Sequence, residues 1–236
     1  GINGTVSSSA EGIKEILAFI KKDERFSQMP YRISTTPRKT FYRIRVVVRK
    51  EIVTLGDATI NPNDKVGTYV EPKNWNKIIQ DPDTFVIDTR NDYEVELGTF
   101  EGATNPNTET FCQWDEYVKE NLQSQKDKKV AMFCTGGIRC EKASAWLKHK
   151  GFPNVHQLEG GIIEYTRQVR EKGLENRFIG KNFVFDERRA ERISEHVIAE
   201  CHQCGAPCDD HTNCLNVACN LLFIQCPACA KECDAA

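Results

Sequence analysis

The chain has 236 residues and a mass of 26.8 kDa, which suits one large domain or two ordinary ones. Hydrophobic residues make up 39% of it and charged residues 28%, and the mean hydropathy is -0.52, so the composition excludes a wholly disordered chain. Its apolar runs are far shorter than the ~20 residues of a membrane-spanning helix, and no basic-then-apolar signal segment opens it. We therefore expect a cytoplasmic protein without membrane contact. Because the chain opens at Gly1, we expect its natural N-terminus to lie upstream.

The first segment, residues 1–66, is predicted to be a small α+β unit. Strands are expected over residues 2–6, 31–35 and 41–52, the last because apolar and basic side chains alternate along it. Ser9 precedes a run in which isoleucines and a leucine recur at helical spacing, so it is predicted to cap a helix.

A second segment, residues 73–173, shows strands alternating with helices, which predicts a parallel sheet with crossover helices. The expected strands are 84–88, 130–133 and 155–158, and the expected helices are 114–122, 139–150 and 162–172. Residues 56–72 before them hold turn formers with little periodicity, and we interpret them as a linker. Catalytic groups in such sheets collect at the carboxyl ends of the strands.

The remaining residues, 174–236, are predicted to form a C-terminal extension. A strand is expected at 183–185, followed by a helix that leads into a Cys-rich segment over 201–233.

The most informative segment is the loop between the strand that ends at Phe133 and the helix after it. The loop reads Cys134-Thr135-Gly136-Gly137-Ile138-Arg139, and Cys140 follows in the first helical turn. Glycines let successive amide N–H groups point into such a loop, and the helix N-terminus adds partial positive charge, so the loop favours an anion.

The same field favours the thiolate of Cys134 and makes it a candidate nucleophile, while Arg139 supplies fixed charge or holds the loop in shape. The alternative is that Cys134 is one more small buried apolar residue at the end of a strand. Cys140 has two interpretations, either a resolving thiol or a core residue of the first helical turn.

Four segments together resemble the rhodanese domain. They are the Cys134 loop, Val86-Ile87-Asp88-Thr89-Arg90, the stretch 94–103 with Thr99 where the family commonly has His, and the late turn Leu158-Glu159-Gly160-Gly161. The resemblance implies that Cys134 carries a persulfide held by loop amides and that Asp88 and Arg90 are structural. A longer loop is typical of the related dual-specificity phosphatases, so phosphatase activity is a distant alternative.

Longer runs of sequence are similar to the bacterial tRNA uridine 5-hydroxylase family. These runs are residues 134–146, 160–165, 177–188 and 201–208. The resemblance implies an acylphosphatase-like (ferredoxin-like) N-terminal unit, a rhodanese domain and a Cys-rich C-terminal segment. It also implies oxygen-dependent 5-hydroxylation of the wobble uridine, position 34, of tRNA, with molecular oxygen as co-substrate. No nucleotide-binding fingerprint or flavin site is evident, so no nucleotide cofactor is expected.

Eight of the 11 cysteines lie between Cys201 and Cys233. Two Cys-x-x-Cys knuckles, Cys201 with Cys204 and Cys226 with Cys229, fit a tetrahedral four-thiolate zinc site, because each knuckle presents two sulfurs to one ion. Eight thiolates would suffice for two ions, with His202 and His211 as spare ligands. Reduced free thiols, adventitious disulfides and an iron-sulfur cluster are the alternatives.

The charge of the whole chain is nearly balanced, with 32 basic and 34 acidic residues, but it is uneven locally. Residues 31–50 hold seven cations and no acidic residue, with aromatic side chains among them. The cations are Arg32, Arg38, Lys39, Arg43, Arg45, Arg49 and Lys50. Contact with a tRNA backbone, above all through Arg43, Arg45, Arg49 and Lys50, is one interpretation, and a solvated sheet face is the other.

Two further functions fit the same residues. A rhodanese-type sulfurtransferase would use Cys134 to pass persulfide sulfur to an acceptor, and a non-catalytic, zinc-stabilised adaptor would bind RNA or protein through the basic segment and the tail. Low-pKa reactivity of Cys134 separates the adaptor from the two enzymes, because an adaptor needs no activated thiol there. The sequence gives no indication of the oligomeric state.

Overall fold

The computed structural model describes residues 1–37, 40–216, 218–219 and 221–233. Two of the cations counted in the basic segment, Arg38 and Lys39, lie outside these residues. The chain divides into two compact units, Gly1–Ile52 with Phe185–Arg188, and Val53–Val184 with Arg189–Ala236. Among the described residues, no helix is both long and apolar enough to cross a membrane.

The first unit contains the helix predicted after Ser9. Helix α1 spans Ala10–Lys21, and a 3₁₀ turn, Glu24–Phe26, follows it. The Ser9 hydroxyl accepts a hydrogen bond from the backbone N–H of Gly12 at 3.2 Å, which satisfies one of the free donors of the first turn. The predicted cap and helix are therefore confirmed.

The strands predicted in this unit are not confirmed. No described residue of 2–6, 31–35 or 41–52 belongs to a strand, and Ile44, Val46 and Val48 are 93%, 87% and 95% exposed. Alternation supplies suitable side chains, but a strand also needs a neighbouring segment to pair with its backbone groups. The described residues of the three segments do not pair with one another in this way.

The second unit is built on a four-stranded parallel sheet. Its strands are β1 (Thr68–Val70), β2 (Thr84–Asp88), β4 (Lys129–Phe133) and β5 (Val155–Leu158), in the spatial order β1-β5-β4-β2. Its helices are α2 (Pro72–Ile79), α3 (Asp92–Val95), α4 (Trp114–Tyr117), α5 (Ile138–His149) and α6 (Gly161–Lys172). The predicted parallel sheet with crossover helices is confirmed, and its predicted strands and the two long helices agree within a residue at each end.

Two predictions in this unit need correction. The predicted helix over 114–122 is a short α4 continued by a π-helical turn, Val118–Leu122. The predicted linker 56–72 contains β1, and Leu55 and Ile60 on its N-terminal side are 2% and 5% exposed. The turn-forming residues led us to predict a linker. β1 has no recognisable pattern of its own, because it is only three residues long and is fixed by pairing with β5.

Apolar side chains cover both faces of the parallel sheet. Along β2, Val86 belongs to one buried cluster, with Trp75, Phe100 and Tyr165, while its neighbour Ile87 belongs to another. Successive strand residues point to opposite faces, so both faces are covered and the strands read as continuous apolar runs.

A second sheet is antiparallel, with strands β3 (Gly98–Phe100), β6 (Phe178–Phe183) and β7 (Ala190–Arg192) in the order β3-β6-β7. The strand predicted at 183–185 therefore lies earlier in the chain. The helix predicted before the tail is wrong, because residues 186–199 hold β7 and no helix. Pairing of β6 with β3 and of β7 with β6 decides this region over local propensity.

The Cys-rich tail contains a short hairpin and one helix. Strands β8 (His211–Asn213) and β9 (Leu222–Ile224) pair antiparallel, and α7 spans Pro227–Glu232. Ile224 is fully buried in a cluster that also holds Leu97 and Phe183, so the tail packs on the β3 and β6 side of this unit.

Candidate active site

The Cys134 loop lies at the carboxyl edge of the parallel sheet, directly after β4. Backbone hydrogen bonds from the segment that follows β5 hold the Cys134 loop in place. The backbone N–H of Ile162 donates to the carbonyl of Cys134 at 3.0 Å, and that of Ile163 donates to the carbonyl of Thr135 at 3.1 Å. The segments that resembled the rhodanese loop and its late Gly-Gly turn are thus joined by backbone hydrogen bonds.

Two glycines make this junction possible. Gly137 has a φ of 92°, and Gly161 has a φ of 65°, both in the left-handed region. A Cβ at Gly161 would lie 2.5 Å from the carbonyl oxygen of Cys134 and 2.7 Å from the nitrogen of Gly137. Only glycine lets the turn approach the loop this closely.

The sulfur of Cys134 is buried, with the residue 2% exposed, and it accepts a hydrogen bond from the backbone N–H of Gly137 at 3.1 Å. Burial alone opposes a charged thiolate. Hydrogen bonds from the Cys140 thiol and from the N–H groups of Cys140 and Arg139, together with the charge of Arg139, outweigh it and lower the pKa of Cys134 to about 5. At neutral pH this group is a thiolate.

Cys140 is the second buried thiol of the site, at 1% exposure. Its sulfur lies 3.5 Å from the hydroxyl of Thr89, whose own hydroxyl donates to the carbonyl of Phe133 at 2.9 Å. Burial and the neighbouring Cys134 thiolate raise the pKa of Cys140 well above its usual range. Cys140 is therefore the protonated member of the pair and donates to Cys134.

Arg139 is fixed by a residue that the sequence did not single out as functional, Glu94. Two parallel hydrogen bonds join the groups, Nη1 to Oε2 at 2.5 Å and Nη2 to Oε1 at 2.8 Å, and the Glu94 side chain has no exposed surface. Burial opposes the charge of Glu94, but the bonds and charge of Arg139 lower its pKa overall. The Thr135 hydroxyl also donates to this carboxylate, at 3.2 Å.

The other loop residues frame this arrangement. Thr135 is 9% exposed, Gly136 is partly exposed, and Ile138 is 37% exposed at the start of α5. Gly136 has no atom near the position of a Cβ, in contrast to Gly161. Ile138 is the exposed apolar side chain of the loop.

Asp88 and Arg90 lie behind the loop and hold the second sheet against the first. Both side chains have no exposed surface, and they form an ion pair of 2.6 Å. Arg90 also donates to the carbonyl of Gly98 at 2.5 Å, and the Thr99 hydroxyl donates to Asp88 at 2.9 Å. Thr99, the departure from the family pattern, thus serves as a donor to a buried carboxylate.

A polar cluster that sequence reasoning missed lies beside the loop. The hydroxyl of Tyr69 donates to the Glu141 carboxylate at 2.9 Å, and the side-chain amide of Gln157 donates to it at 3.1 Å. Burial, with the nearby Cys134 charge, raises the pKa of Glu141 despite these bonds, and burial together with Glu141 raises the pKa of Tyr69 to about 12. Glu141 follows Cys140 directly, so its position in the first turn of α5 was the available signal.

The four knuckle cysteines of the tail meet in space. The sulfur atoms of Cys201, Cys204, Cys226 and Cys229 all lie within 4.8 Å of one another. Backbone N–H groups of Cys226 and Cys229 donate to the sulfurs of Cys201 and Cys226, at 3.3 Å and 3.5 Å. Four sulfurs converging with amide donors around them fit a metal ion that takes thiolate ligands.

The remaining candidates in the tail do not join this group. His202 pairs with Glu96 at 2.7 Å, and burial lowers the pKa of His211 to about 4, beside the ring of Phe183. Among the described residues the knuckle cysteines form the one cluster able to hold a metal, and it excludes Cys208, Cys214, Cys219 and Cys233.

The basic residues lie in the first unit. Arg43, Arg45, Arg49 and Lys50 are all exposed, and the Lys21 ammonium lies 4.6 Å from the centre of the Tyr31 ring.

Comparison with protein families accounts for most of this layout. A model of the rhodanese-like domain matches residues 71–168, one of the UPF0176 acylphosphatase-like domain matches 1–52, and one of the rhodanese C-terminal region matches 179–236. The expected acylphosphatase-like unit and rhodanese domain are thereby confirmed as family assignments.

Comparison with curated proteins decides the family. A tRNA uridine(34) hydroxylase of Escherichia coli O157:H7 is 49% identical over 237 aligned residues, which cover 98% of this chain and 67% of that protein. The chain belongs to the tRNA uridine(34) hydroxylase family. A member from Enterobacter sp. (strain 638) is 57% identical over 196 residues, 82% of this chain and 56% of its own length. The chain thus spans little more than half of that relative.

Among solved structures, reduced Bacillus anthracis CoADR-RHD is 25% identical and covers 45% of this chain, with 17% of its own length and a TM-score of 0.37.

Proposed function

We propose that this protein catalyses oxygen-dependent 5-hydroxylation of uridine 34 in tRNA, with Cys134 as the nucleophile. One observation carries the proposal: a buried thiolate, held by loop amides and Arg139, lies in a chain whose relatives are named tRNA uridine(34) hydroxylases. Thr135, Gly136, Gly137 and Ile138 complete the loop, and Cys140 follows it in the first turn of α5.

Thiolate addition to the uracil ring explains why such a loop suits this reaction. A bond from the Cys134 sulfur to C6 converts the C5–C6 double bond into an enolate, which makes C5 reactive toward oxygen. The negative charge leaves the sulfur and spreads over the ring next to Arg139 and the N–H groups at the start of α5, which stabilise it as it develops.

We propose that the exposed cations of the first unit contact the tRNA backbone. Arg43, Arg45, Arg49 and Lys50 lie in the stretch 31–50, which contains no acidic residue. Phosphate contacts from such cations position a nucleic acid without reading its sequence. Exposed Tyr31 and Tyr42 offer stacking surfaces beside them.

For the tail we propose a structural zinc ion held by Cys201, Cys204, Cys226 and Cys229. Their sulfurs come together from two knuckles with 21 residues between them, and Cys201 and Cys226 also line the apolar cluster with Leu97 and Ile224. An ion bound there would tie the tail to the β3 and β6 side of the second unit.

The test is nucleoside mass spectrometry of tRNA from cells that lack the gene. Wild type is expected to restore 5-hydroxyuridine, Cys134→Ser is expected to leave it absent, and Cys112→Ser, which changes an exposed thiol, is the matched control. Loss of sulfur-bearing nucleosides with unchanged 5-hydroxyuridine would instead assign a sulfurtransferase. Full activity of Cys134→Ser would remove the thiol mechanism.

A further inference from the structure

Two thiols, Cys134 of the loop and Cys140 of the helical turn after it, are buried in the core of the second unit. Cys134 and Cys140 belong to the same buried apolar cluster, at 2% and 1% exposure. The Cys134 sulfur accepts from the N–H of Gly137, and Cys140 lies in the helical turn that begins directly after that residue. The Thr89 hydroxyl lies 3.5 Å from the Cys140 sulfur and accounts for one contact of that side chain. A disulfide between them would form when the two sulfurs approach to ~2.0 Å.

The proposed hydroxylation raises a question of electrons. Molecular oxygen places one oxygen atom on C5 and releases the other as water, so each turnover consumes two electrons and two protons beyond those of uridine. Two thiols that become a disulfide release two electrons and two protons. The buried pair therefore holds the reducing equivalents of one turnover at the site where they are used.

We infer that Cys134 and Cys140 together are the reductant of the hydroxylation and form a disulfide in each catalytic cycle, an inference that rests on the proposed function. The overall change is uridine, oxygen and two thiols giving 5-hydroxyuridine, water and one disulfide. An external thiol then reduces the disulfide and restores the pair.

The steps balance with the residues as placed. Cys134 adds to C6, and the C5 enolate takes up oxygen and a proton to form a hydroperoxide at C5. The Cys140 thiol attacks the outer oxygen, which breaks the O–O bond and leaves a hydroxyl on C5 and a sulfenic acid on Cys140. Loss of the C5 proton to solvent expels Cys134 as a thiolate, which attacks the Cys140 sulfur, forms the S–S bond and displaces hydroxide. The hydroxide takes up a proton, equivalent to the one lost from C5, and leaves as water.

The protonation states of the two thiols match these roles. Cys134, kept as a thiolate, is the group that adds to the ring and later attacks the sulfenic acid. Cys140, kept as a thiol, delivers its proton along with its electron pair when the peroxide bond breaks. Cys112 is exposed, and its thiol donates to the carbonyl of Thr54 at 3.4 Å, not to a second cysteine.

A single-turnover experiment tests the inference. Fully reduced chain, freed of reductant under argon, is mixed with a tRNA transcript carrying uridine 34 and with isotopically labelled oxygen. Remaining thiols are then alkylated, and nucleosides and peptides are quantified by mass spectrometry. We expect 5-hydroxyuridine and a Cys134–Cys140 disulfide in equal amounts.

Variants separate a reducing role from a packing role. Cys140→Ser and Cys140→Ala are expected to give no product in the single turnover and to regain it when dithiothreitol is added, whereas Cys112→Ser behaves as wild type. Both substitutions are made so that at least one variant is folded, which is judged by a melting temperature equal to that of the wild type. Activity that dithiothreitol does not restore in a folded variant would overturn the inference and leave Cys140 a structural residue.

Other outcomes distinguish this inference from the function on which it rests. Product formed while both thiols stay free would overturn the inference and leave the hydroxylase proposal standing. No oxygenated uridine from wild type, even with dithiothreitol present, would overturn the hydroxylase proposal and the inference with it.

Discussion

Glu94 holds Arg139 through two parallel hydrogen bonds, of 2.5 Å and 2.8 Å, and the Glu94 side chain is completely buried. The pair joins α3, near the end of β2, to the first turn of α5, near the end of β4. Because Arg139 in turn lowers the pKa of Cys134, this carboxylate fixes the charge that activates the thiol without contacting the sulfur.

Removing the charge of Glu94 is expected to destabilise the protein. Glu94→Gln leaves Arg139 without its buried counter-charge, and we expect the free energy of unfolding to fall by about 3 kcal/mol. The matched control is Glu101→Gln, which breaks an exposed pair with Arg177 and is expected to cost less than about 1 kcal/mol. Urea denaturation of both variants measures the difference, and equal losses would contradict the prediction.

The same variant has a defined pH dependence. The pKa of Glu94 is lowered in the folded state, so its stabilising contribution is fully present above the unfolded pKa of about 4.3 and is lost as the pH falls through the folded value. The gap in stability between wild type and Glu94→Gln should therefore narrow below about pH 4. A constant gap from pH 7 down to the acid transition would contradict this.

Alkylation kinetics should reveal the thiolate of Cys134. We expect its rate with iodoacetamide to reach half its maximum near pH 5 and to stay level up to neutral pH. Cys140→Ala removes a hydrogen bond to the thiolate and should move that midpoint upward, whereas Cys112→Ser should leave it unchanged. A midpoint for Cys134 near the ordinary thiol value of about 8.5 would remove the activated nucleophile and favour the adaptor.

The Gly161 turn offers a matched pair of substitutions. Gly161 and Gly173 have nearly the same φ, 65° and 64°, but a Cβ at Gly173 meets no atom within 4 Å. Gly173→Ala should therefore cost only the strain of the backbone, about 1–2 kcal/mol. Gly161→Ala also forces the loop away from the turn and should cost about 3 kcal/mol more. Thermal denaturation, with Cys134 alkylation as a readout of the loop, compares the two variants.

Metal analysis tests the tail. Reduced protein is expected to contain one zinc ion per chain, as its single four-sulfur cluster among the described residues implies. Removing it with a chelator, or replacing Cys226 with Ser, should lower the melting temperature by roughly 5–10 °C, because the tail then loses its hold on the second unit. Cys214→Ser, outside the cluster, is the control. Neither zinc nor iron in reduced protein would overturn the proposal.

The basic segment is tested by salt dependence. Arg43→Gln with Arg45→Gln should weaken tRNA binding and reduce the slope of log affinity against log salt by about 2, if each arginine contacts one phosphate. Lys119→Gln with Lys128→Gln removes the same charge from the second unit and should leave the slope unchanged. Equal slopes for both double variants would assign the arginines to a solvated surface.

Prediction from sequence succeeded where the pattern is local. The parallel strands and long helices of the second unit follow from apolar periodicity, and the Cys134 loop follows from a short motif whose glycines, thiol and arginine lie within six residues. The knuckle pairs are likewise local, although their meeting in space is not. These features depend on neighbours along the chain, which a sequence displays directly.

The tertiary structure decided what depends on distant partners. The sequence alone gave no reason to pair Glu94 with Arg139, 45 positions later, or Tyr69 with Glu141, 72 positions later, because a buried carboxylate is recognised only by the groups that compensate it. The three-residue β1 exists through pairing with β5, and the predicted strands of the first unit lack such partners among the described residues. Sequence thus determined the Cys134 loop and the two Cys-x-x-Cys knuckles, while folding determined which charges and thiols they meet.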